Sequence, residues 1–359
     1  MILKQDFEWQ NKEDIKSLEL EELTERLTQL GQPKFRGKQI YSWLHEKRAD
    51  SFEEMSNLPA SLRQQLEQRY YINRLSIIKK LVSKIDGTQK YLLRLKDNNC
   101  VEAVLMRYKY GNSICISTQV GCRMGCKFCA STLAGLARSL QPSEMLDEIY
   151  TVTKDSGERV SNVVLMGIGE PLDNYENVMC FLRILSSKEG YNLSLRHLSL
   201  STCGLVDRIY ELAEQKLGLT LSISLHAPND EIRNQTMPIN KRYPVDELLR
   251  ACRYYFDKTG RRISFEYALI EGVNDEICHA DELAARLRGM AAHVNLIPVN
   301  PVKERGFKRG SKQRIEAFQK ELESKGINAT VRRELGADIN AACGQLRREY
   351  DRQREEAES

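Results

Sequence analysis

A short loop carries three of the ten cysteines of this 359-residue chain: the segment Val120-Gly-Cys-Arg-Met-Gly-Cys-Lys-Phe-Cys129 contains Cys122, Cys126 and Cys129. Thiolates are soft ligands, which bind zinc or iron–sulfur clusters in preference to hard cations. A structural zinc site uses four ligands, usually from two CxxC-type pairs, and this loop has no fourth cysteine or histidine. Three thiolates on a four-iron cluster leave one iron open to a substrate or cofactor. The spacing therefore favours an open iron–sulfur cluster, with zinc as the alternative.

The composition predicts a soluble, cytoplasmic protein. Hydrophobic residues make up 41% of the chain, which is enough for a buried core, and charged residues make up 29%. No apolar run approaches the ~20 residues of a membrane span, and the N-terminus lacks the apolar stretch of a signal peptide. Ten cysteines are too sparse for a disulfide framework in a chain of this length. We therefore expect a reducing compartment and no membrane partner.

The net charge of +4 is too small to indicate a nucleic-acid partner, but the positive charges are clustered. Residues 302–315 contain six basic side chains against one acid, and a smaller basic group lies near the N-terminus. The first group is Lys303, Arg305, Lys308, Arg309, Lys312 and Arg314, and the second is Lys34, Arg36 and Lys38. Such clusters neutralise phosphates in nucleic-acid-binding proteins. A solvated loop and helix face would give the same pattern, so both interpretations stay open.

The first 75 residues have the pattern of a small helical module. Four leucines recur at helical spacing between residues 20 and 30, and Gly31 is placed to end that helix. A second amphipathic pattern begins at Phe35, and a third helix is predicted over 61–70. The module either contacts RNA or serves as a structural cap.

From residue 111 onward, short runs rich in β-branched residues alternate with helical stretches. The predicted strands are 114–118, 162–166, 197–201, 219–225, 263–269 and 294–298, and the predicted helices are 143–154, 177–186, 206–215, 245–256 and 280–287. Such alternation is typical of a parallel sheet with helical crossovers. The fold class is therefore α/β, a partial (β/α)6 barrel with a small N-terminal helical accessory domain.

We divide the chain into four parts on these patterns. The N-terminal module takes residues 1–75, and a connecting β segment with strand-like runs at 91–95 and 101–108 takes residues 76–110. The barrel core takes residues 111–347, and a charged tail takes residues 348–359. The cysteine loop then follows the first barrel strand, at the end of the sheet where parallel α/β folds collect functional groups.

Several predicted strands end in polar groups. Strand two runs into Met166-Gly-Ile-Gly-Glu-Pro171, where glycines let a ligand approach the backbone and Glu170 offers an anion. Other strands end in Ser201-Thr-Cys-Gly204, Ser224-Leu-His226 and Asn295-Leu-Ile-Pro-Val-Asn300. Each signal alone is weak, because a turn or a core polar group gives the same pattern. Together they suit a bound polar nucleoside.

These motifs resemble those of a known family. The cysteine spacing is similar to that of the radical S-adenosylmethionine (SAM) superfamily, in which the open iron chelates the amino and carboxylate groups of SAM. The string Asp338-Ile-Asn-Ala-Ala-Cys-Gly-Gln-Leu346 is more specific, and with Gly167-Ile-Gly-Glu-Pro171 and Phe35-Arg-Gly-Lys-Gln-Ile40 it closely resembles the RlmN family. That family methylates C2 of adenosine in the peptidyl-transferase centre of 23S rRNA and in the anticodon region of certain tRNAs. The likeness covers nearly the whole chain, with Ile168 as a small departure from the usual Met.

The resemblance implies three catalytic residues. Cys343 matches the cysteine that accepts a methyl group from one SAM, after which a second SAM, cleaved to a 5′-deoxyadenosyl radical, activates that methyl group for addition to C2. Cys115 matches the second thiol, which attacks the sulfur and leaves a Cys115–Cys343 disulfide that must be reduced. Glu102 matches the proton acceptor. Without the resemblance, Glu102 would be interpreted as an exposed strand carboxylate and both thiols as packing residues.

The resemblance also implies the ligands. The SAM-contacting positions are Gly169, Glu170, Ser201, Ser224, Leu225, His226 and Asn300. The cofactors are a [4Fe–4S] cluster on the three loop cysteines and two molecules of SAM per turnover. The partners are 23S rRNA, tRNA and a flavodoxin-like electron donor, and a monomer is expected. Packing roles are predicted for Cys100, Cys180, Cys203, Cys252 and Cys278.

Two other functions stay open. The Cfr type methylates C8 of the same rRNA adenosine, but it usually has Ala after Gly-Glu, where this chain has Pro171. This difference favours C2. The second alternative is a non-enzymatic RNA-binding protein with a structural metal, and the missing fourth ligand in the loop counts against it.

Overall fold

The chain begins with a module of three helices, where the periodicity predicts them. A computed structural model describes residues 11–299, 306–341, 346, 347 and 350. The helices are α1 (Leu20–Gln29), α2 (Phe35–His45) and α3 (Ala60–Arg69). Two short strands, β1 (Glu13–Asp14) and β2 (Tyr70–Tyr71), pair in parallel and bring the two ends of the module together.

Two glycines determine how α1 ends and how closely it packs on α2. Gly31 has φ +74°, the left-handed conformation that commonly ends a helix. A Cβ atom at Gly37 of α2 would lie 2.1 Å from Oγ1 of Thr24 on α1. The two helices therefore approach this closely only because residue 37 is glycine.

A buried polar network joins the module to helix α4 (Pro142–Ser156) of the barrel. Lys16 is almost fully buried, donates a hydrogen bond of 2.8 Å to the carbonyl of Asn73 and forms an ion pair with Asp147 of α4. The amide of Asn73 donates to the other carboxylate oxygen of Asp147 at 2.9 Å. Burial raises the pKa of Asp147 to about 6, although Lys16 opposes the shift. Because buried charges of this kind tolerate no loose geometry, the module is fixed on the barrel.

Residues 76–110 form part of the central sheet and extend it with antiparallel strands. β3 (Ser76–Val82), β4 (Gln89–Arg94) and β5 (Cys100–Tyr108) pair in order, and β5 pairs with the first barrel strand, β6 (Gly111–Cys115). We call β3–β5 the β extension. Lys90 lies opposite Val104, and Val104 lies opposite Cys115. Directly opposite residues share one face of a sheet, so this register determines which side chains lie beside Cys115.

The parallel part of the sheet continues from β6. A separate hairpin of β7 (Gln119–Gly121) and β8 (Leu136–Ser139) interrupts it. The further strands are β9 (Val160–Leu165), β10 (Leu198–Thr202), β11 (Thr220–Ser224), β12 (Ile263–Leu269), β13 (Ala292–Pro298) and β14 (Asn328–Val331). Within the described residues the ten-stranded sheet runs in order from β3 to β14 without closing. This arrangement confirms the predicted partial barrel and adds β14 to it.

Helices cover the sheet between the strands. They are α4, α5 (Tyr175–Ser186), α6 (Val206–Glu214), α7 (Asp230–Thr236), α8 (Val245–Thr259), α9 (Ile277–Leu287) and α10 (Lys312–Ser324). α4 begins with a capping box between Gln141 and Glu144 around Pro142, and Gly157 at φ +70° ends it. Within the described part of the chain, no helix has the length and apolar character to cross a membrane.

The first barrel strand ends earlier than the predicted 114–118. The N–H of Ile116 still donates to the carbonyl of Val164 on β9 at 3.1 Å. At Ser117 the chain turns to other partners: its N–H donates to the carboxylate of Glu148 and its hydroxyl to the carbonyl of Glu102. This early exit brings the chain to the β7–β8 hairpin, which carries the cysteine loop.

Candidate functional site

The β7–β8 hairpin holds the two ends of the cysteine loop together. The N–H of Cys122 donates to the carbonyl of Gly135 at 2.9 Å. Gly121 has φ +81°, and a Cβ atom there would lie 2.0 Å from the same carbonyl oxygen, so only glycine allows this closure. As a result, Cys122, Cys126 and Cys129 line one cavity of about 290 Å³.

The loop thiols are suited to bind a metal cluster. Burial raises the pKa of Cys122 to about 12, and it also raises the pKa of Cys126. Such thiols become thiolates only when a metal displaces the proton. The three thiols line one cavity, and three thiolates are the donor set of a four-iron cluster with one open iron, so the residues present fit that cluster.

The glycine turn after β9 packs directly on the exit of β6. The N–H of Gly167 donates to the carbonyl of Ile116 at 3.0 Å, and the carbonyl of Ile168 accepts from the N–H of Thr118 at 2.8 Å. A Cβ atom at Gly167 would lie 2.5 Å from the Ile116 oxygen, and Gly169 has φ +109°. This close packing brings the following residue, Glu170, into the cavity.

Gly167→Ala is expected to destabilise the protein by about 1–3 kcal/mol, the usual cost of overpacking, because its methyl group would meet rigid backbone atoms. Gly218→Ala is the matched control, since a Cβ atom there meets only Cγ of Arg196 at 3.6 Å, and its change should stay within about 0.5 kcal/mol. Denaturant unfolding of both variants measures the difference. Equal stabilities would show that the turn is not closely packed.

Glu170 is held in a fixed position at the wall of the cavity. Its carboxylate accepts a hydrogen bond from the N–H of Cys203 at 2.7 Å and another from the N–H of Leu172 at 3.0 Å. Burial raises the pKa of Glu170, and these hydrogen bonds oppose the shift. A carboxylate fixed beside the thiols offers an anionic partner to an ammonium group of a ligand.

The ends of β10 and β11 add neutral polar groups to the same cavity. The hydroxyl groups of Ser201 and Ser224 lie 3.5 Å apart. His226 has φ +55°, and its Nδ1 accepts from the N–H of Ala268 at 2.9 Å. Burial lowers the pKa of His226 to about 3, so the ring is neutral and its proton is on Nε2. The Phe128 ring from the cysteine loop packs edge-on against His226 at 4.8 Å.

A second cavity of about 270 Å³ adjoins the first. It is lined by Cys115, Val104 and Ala341, among others, and it shares Met166 and Ile297 with the cavity of the loop cysteines. The structure therefore places the Cys115 thiol next to the candidate cluster site.

Known proteins similar to this chain determine its family. The model for the radical SAM superfamily matches residues 116–284, and the model described as "Ribosomal RNA large subunit methyltransferase N-terminal domain" matches residues 13–72. Proteins named probable dual-specificity RNA methyltransferase RlmN from Lachnospira eligens and Alkaliphilus oremlandii are 55% and 57% identical to this chain. Each alignment covers 94% of this chain, and 96% and 98% of the respective relative.

The chain belongs to the RlmN family. A crystal structure of a radical SAM methyltransferase from Sphaerobacter thermophilus matches it with a TM-score of 0.87 at 43% identity, over 93% of this chain and 98% of the other. The predicted family and fold class are confirmed. The radical SAM superfamily uses SAM and a [4Fe–4S] cluster, and the donor set of the cysteine loop fits that cluster.

Most of the expected SAM contacts of this RlmN chain lie around one cavity, with two exceptions. Gly169, Glu170, Ser201, Ser224 and His226 line it together with the loop cysteines. The Leu225 side chain lies in the hydrophobic core, and only its backbone lies near the site, where the carbonyl accepts from Nε of Arg233 at 3.1 Å. Asn300 lies outside the described residues.

Of the catalytic positions implied by the RlmN family, Cys115 lines the second cavity and Glu102 lies on the neighbouring strand β5. Glu102 is buried, so the interpretation as an exposed strand carboxylate was wrong. Its Oε2 lies 3.2 Å from Nζ of Lys90, and its Oε1 accepts from the N–H of Arg347 at 2.6 Å. Cys343 lies outside the described residues. The predicted Cys115–Cys343 disulfide therefore stays a prediction.

Sequence reasoning missed two members of this RlmN site. Cys203, which was assigned to packing, belongs to the same buried apolar cluster as Cys126 and lines the same cavity. Arg233 is fully buried and donates to the carbonyls of Cys203 at 2.6 Å and Ser224 at 3.2 Å, so it ties the ends of β10 and β11 together. Both roles depend on contacts between distant segments and leave no local pattern. Cys278, which was also assigned to packing, is exposed.

Proposed function

We propose that this chain is a dual-specificity radical SAM methyltransferase that adds a methyl group to C2 of adenosine in 23S rRNA and tRNA. The observation that carries the proposal is the pair of adjoining cavities, one lined by the loop cysteines and one by Cys115. This chemistry needs a radical source and a reactive thiol side by side. The names of the relatives support RNA as the substrate.

Cys122, Cys126 and Cys129 would hold the cluster, and the residues around them would hold SAM. When bound, the cluster supplies the electron that cleaves SAM to methionine and a 5′-deoxyadenosyl radical. The fixed carboxylate of Glu170 would accept the ammonium group of SAM. Neutral donors and acceptors on the ends of β10 and β11 would bind its polar nucleoside part.

The remaining roles concern the transferred carbon. One SAM would methylate Cys343 and a second would be the radical source, which makes two per turnover. In the resulting adduct, a CH₂ group joins the Cys343 sulfur to C2 and one electron is unpaired. Glu102 would take the C2 proton, and the bound cluster would take back that electron. The Cys115 thiolate would then form an S–S bond with Cys343 as the sulfur–carbon bond breaks, and the CH₂ carbon, which keeps the electron pair of that bond, would take up a proton to become the methyl group. The buried thiol of Cys115, in a cavity that Ala341 also lines, supports this assignment.

The product distinguishes this proposal from the Cfr type. We expect anaerobic reaction of the reconstituted enzyme with 23S rRNA and tRNA to give 2-methyladenosine, identified by nucleoside mass spectrometry with chromatographic standards for both isomers. Pro171 after Glu170 supports this outcome. If 8-methyladenosine were the only product, the Cfr-type assignment would replace ours.

The N-terminal module is proposed to contact RNA. Phe35 is 54% exposed at the start of α2, and the Arg36 guanidinium lies 5.0 Å from its ring, an arrangement on which bases stack in RNA-binding proteins. The basic group of residues 302–315 offers less support, because Arg309 pairs with Glu334 and Arg314 with Asp275, both at 3.1 Å. Lys303 and Arg305 lie outside the described residues.

The proposal also includes the setting of the reaction. A flavodoxin-like protein would deliver the electron, and the enzyme would act as a monomer in the cytoplasm, where ribosomes and tRNA are found. In this proposal the N-terminal module (residues 1–75) contacts the RNA, and the barrel core (residues 111–347) carries out the chemistry.

A further inference from the structure

One face of the central sheet carries both Cys115 and the residues that contact the C-terminal segment. Side chains directly opposite each other share a face, and so do residues two apart on one strand. The pairs Lys90–Val104 and Val104–Cys115, together with Leu92–Glu102, therefore place all five side chains on the same face. We call this set, with Cys100 and Met106, the docking face.

The C-terminal segment, residues 335–350, packs on the docking face at two places. Ala341 and Leu335 pack against the cluster of Val104, Met106 and Cys115. Farther along, Leu346 packs against Leu92 and Cys100. The apolar contacts thus lie on both sides of residues 342–345, which are outside the described residues.

The turn between β3 and β4 holds the start of the segment. The carboxylate of Asp86 accepts from the N–H of Gly336 at 2.9 Å. The carboxylate of Asp338 accepts from the Ser83 hydroxyl at 2.6 Å and from the N–H of Lys84 at 2.9 Å. These bonds fix residues 336–338. Other contacts must fix the chain beyond residue 338.

The buried ion pair of Lys90 and Glu102 contacts the backbone of the segment on both sides of residue 343. Lys90 and Glu102 are both almost fully buried, with Nζ and Oε2 3.2 Å apart. Lys90 Nζ also donates to the carbonyl of Asn340 at 3.0 Å, and Glu102 Oε1 accepts from the N–H of Arg347 at 2.6 Å. One member of the pair therefore binds the backbone before residue 343, and the other binds it after.

We infer that Lys90 is a positioning residue for the methyl-carrier cysteine. Hydrogen bonds to charged groups are among the strongest in proteins, and a buried charge loses most when its partner leaves. The partners of Lys90 include the Glu102 carboxylate and the Asn340 carbonyl, so it couples the base to the backbone leading to Cys343. The inference rests on the proposed function for the role of Cys343, and its structural part, the anchoring of the segment, does not depend on that function.

Lys90→Met is expected to release the Asn340 end of the segment. Hydrogen–deuterium exchange of the protein, read by mass spectrometry on peptides covering residues 336–350, should become at least about tenfold faster, as the loss of a charged hydrogen bond predicts. The matched control is Lys80→Met, which removes a lysine of the same β extension whose ammonium pairs with Asp155 of α4 at 2.5 Å. It should leave these peptides unchanged. Unchanged exchange in Lys90→Met would overturn the inference.

Lys90→Met leaves the Glu102 charge buried without its lysine, which destabilises the whole protein as well as the segment. A second variant separates these two effects. In Lys90→Met/Glu102→Gln both charges are gone, and the new amide side chain still has an oxygen to accept from the N–H of Arg347. We expect fast exchange in 336–341 and retained protection around 346–350. If residues 336–341 kept the protection that they have in the wild type, the anchoring role of Lys90 would be contradicted.

Kinetics separate this inference from the proposed function. In Lys90→Met, kcat for RNA methylation should fall at least about tenfold while KM for RNA stays within about twofold, because the RNA contacts are elsewhere. A purely structural loss would lower the active fraction without selective exchange in the segment. If the product proved to be 8-methyladenosine, the proposed function would fail while the exchange result would stand.

Discussion

Cys115→Ala is expected to stop after a single reaction with the RNA covalently joined to the protein. The thiol is needed only after the carbon–carbon bond has formed, so the steps before it proceed. Without a thiolate to attack the Cys343 sulfur, the sulfur–carbon bond cannot break. Released methylated RNA should fall at least about 100-fold, on the low side of the loss expected for a missing nucleophile. Denaturing gel electrophoresis with labelled RNA should show the adduct.

The substitution should not disturb the fold. Cys115 lies between Val104 of β5 and Val164 of β9, and the strand pairing on both sides uses backbone atoms. Cys278→Ala is the control, because that thiol is exposed and has no proposed role. It should turn over normally and give no adduct. If Cys115→Ala methylated RNA at the wild-type rate without an adduct, Cys115 would have no part in the reaction.

Cys126→Ser is expected to abolish iron binding, whereas Cys203→Ser is expected to keep it. Both thiols are buried, belong to one apolar cluster with Met237 and line the same cavity, so the pair forms a closely matched comparison. Only Cys126 belongs to the three-cysteine loop. A cluster with three protein ligands should therefore lose most of its about four irons in Cys126→Ser and few in Cys203→Ser. Iron analysis and visible absorbance after anaerobic reconstitution measure both.

This comparison also tests the main alternative for the metal site. The sequence loop lacks a fourth ligand, but the fold brings the Cys203 thiol to the cavity, where it could serve as one. If both variants lost the metal and the wild type bound zinc, the site would be a closed four-thiol structural site. The non-enzymatic RNA-binding interpretation would then gain support. Retention of iron in Cys203→Ser, with loss of activity in Cys126→Ser alone, would exclude it.

Much of the barrel was predictable because parallel strands need long apolar or β-branched runs. The predicted strand at 263–269 matches β12 (Ile263–Leu269) in both bounds. Strand β14 was missed because its four residues, Asn328–Val331, include only one that is buried, so no periodic pattern marks it. The β7–β8 hairpin was missed for a similar reason, because its strands are 3 and 4 residues long. In each case the signal was too short for a pattern.

Site residues that form a short sequence motif were predictable. Site residues that are brought together by the register of the strands were not. Cys122, Cys126 and Cys129 follow from their spacing alone. Glu102 came only from the family resemblance, and its burial against Lys90 depends on the pairing of β4 with β5. Arg233 is on a short helix, where a single arginine is typical of a solvated surface. Contacts between residues far apart in sequence create these roles, and no local pattern records them.

The β extension has a consequence for how the enzyme is made. A ribosome synthesises Lys90 and Glu102 long before Arg347, so the docking face is complete while the segment that covers it does not yet exist. Contacts between residues this far apart in sequence also close late in folding, because the entropy of a long loop opposes them. The second cavity of the nascent barrel therefore stays open during synthesis, until Leu335 and Ala341 have been made and can line it.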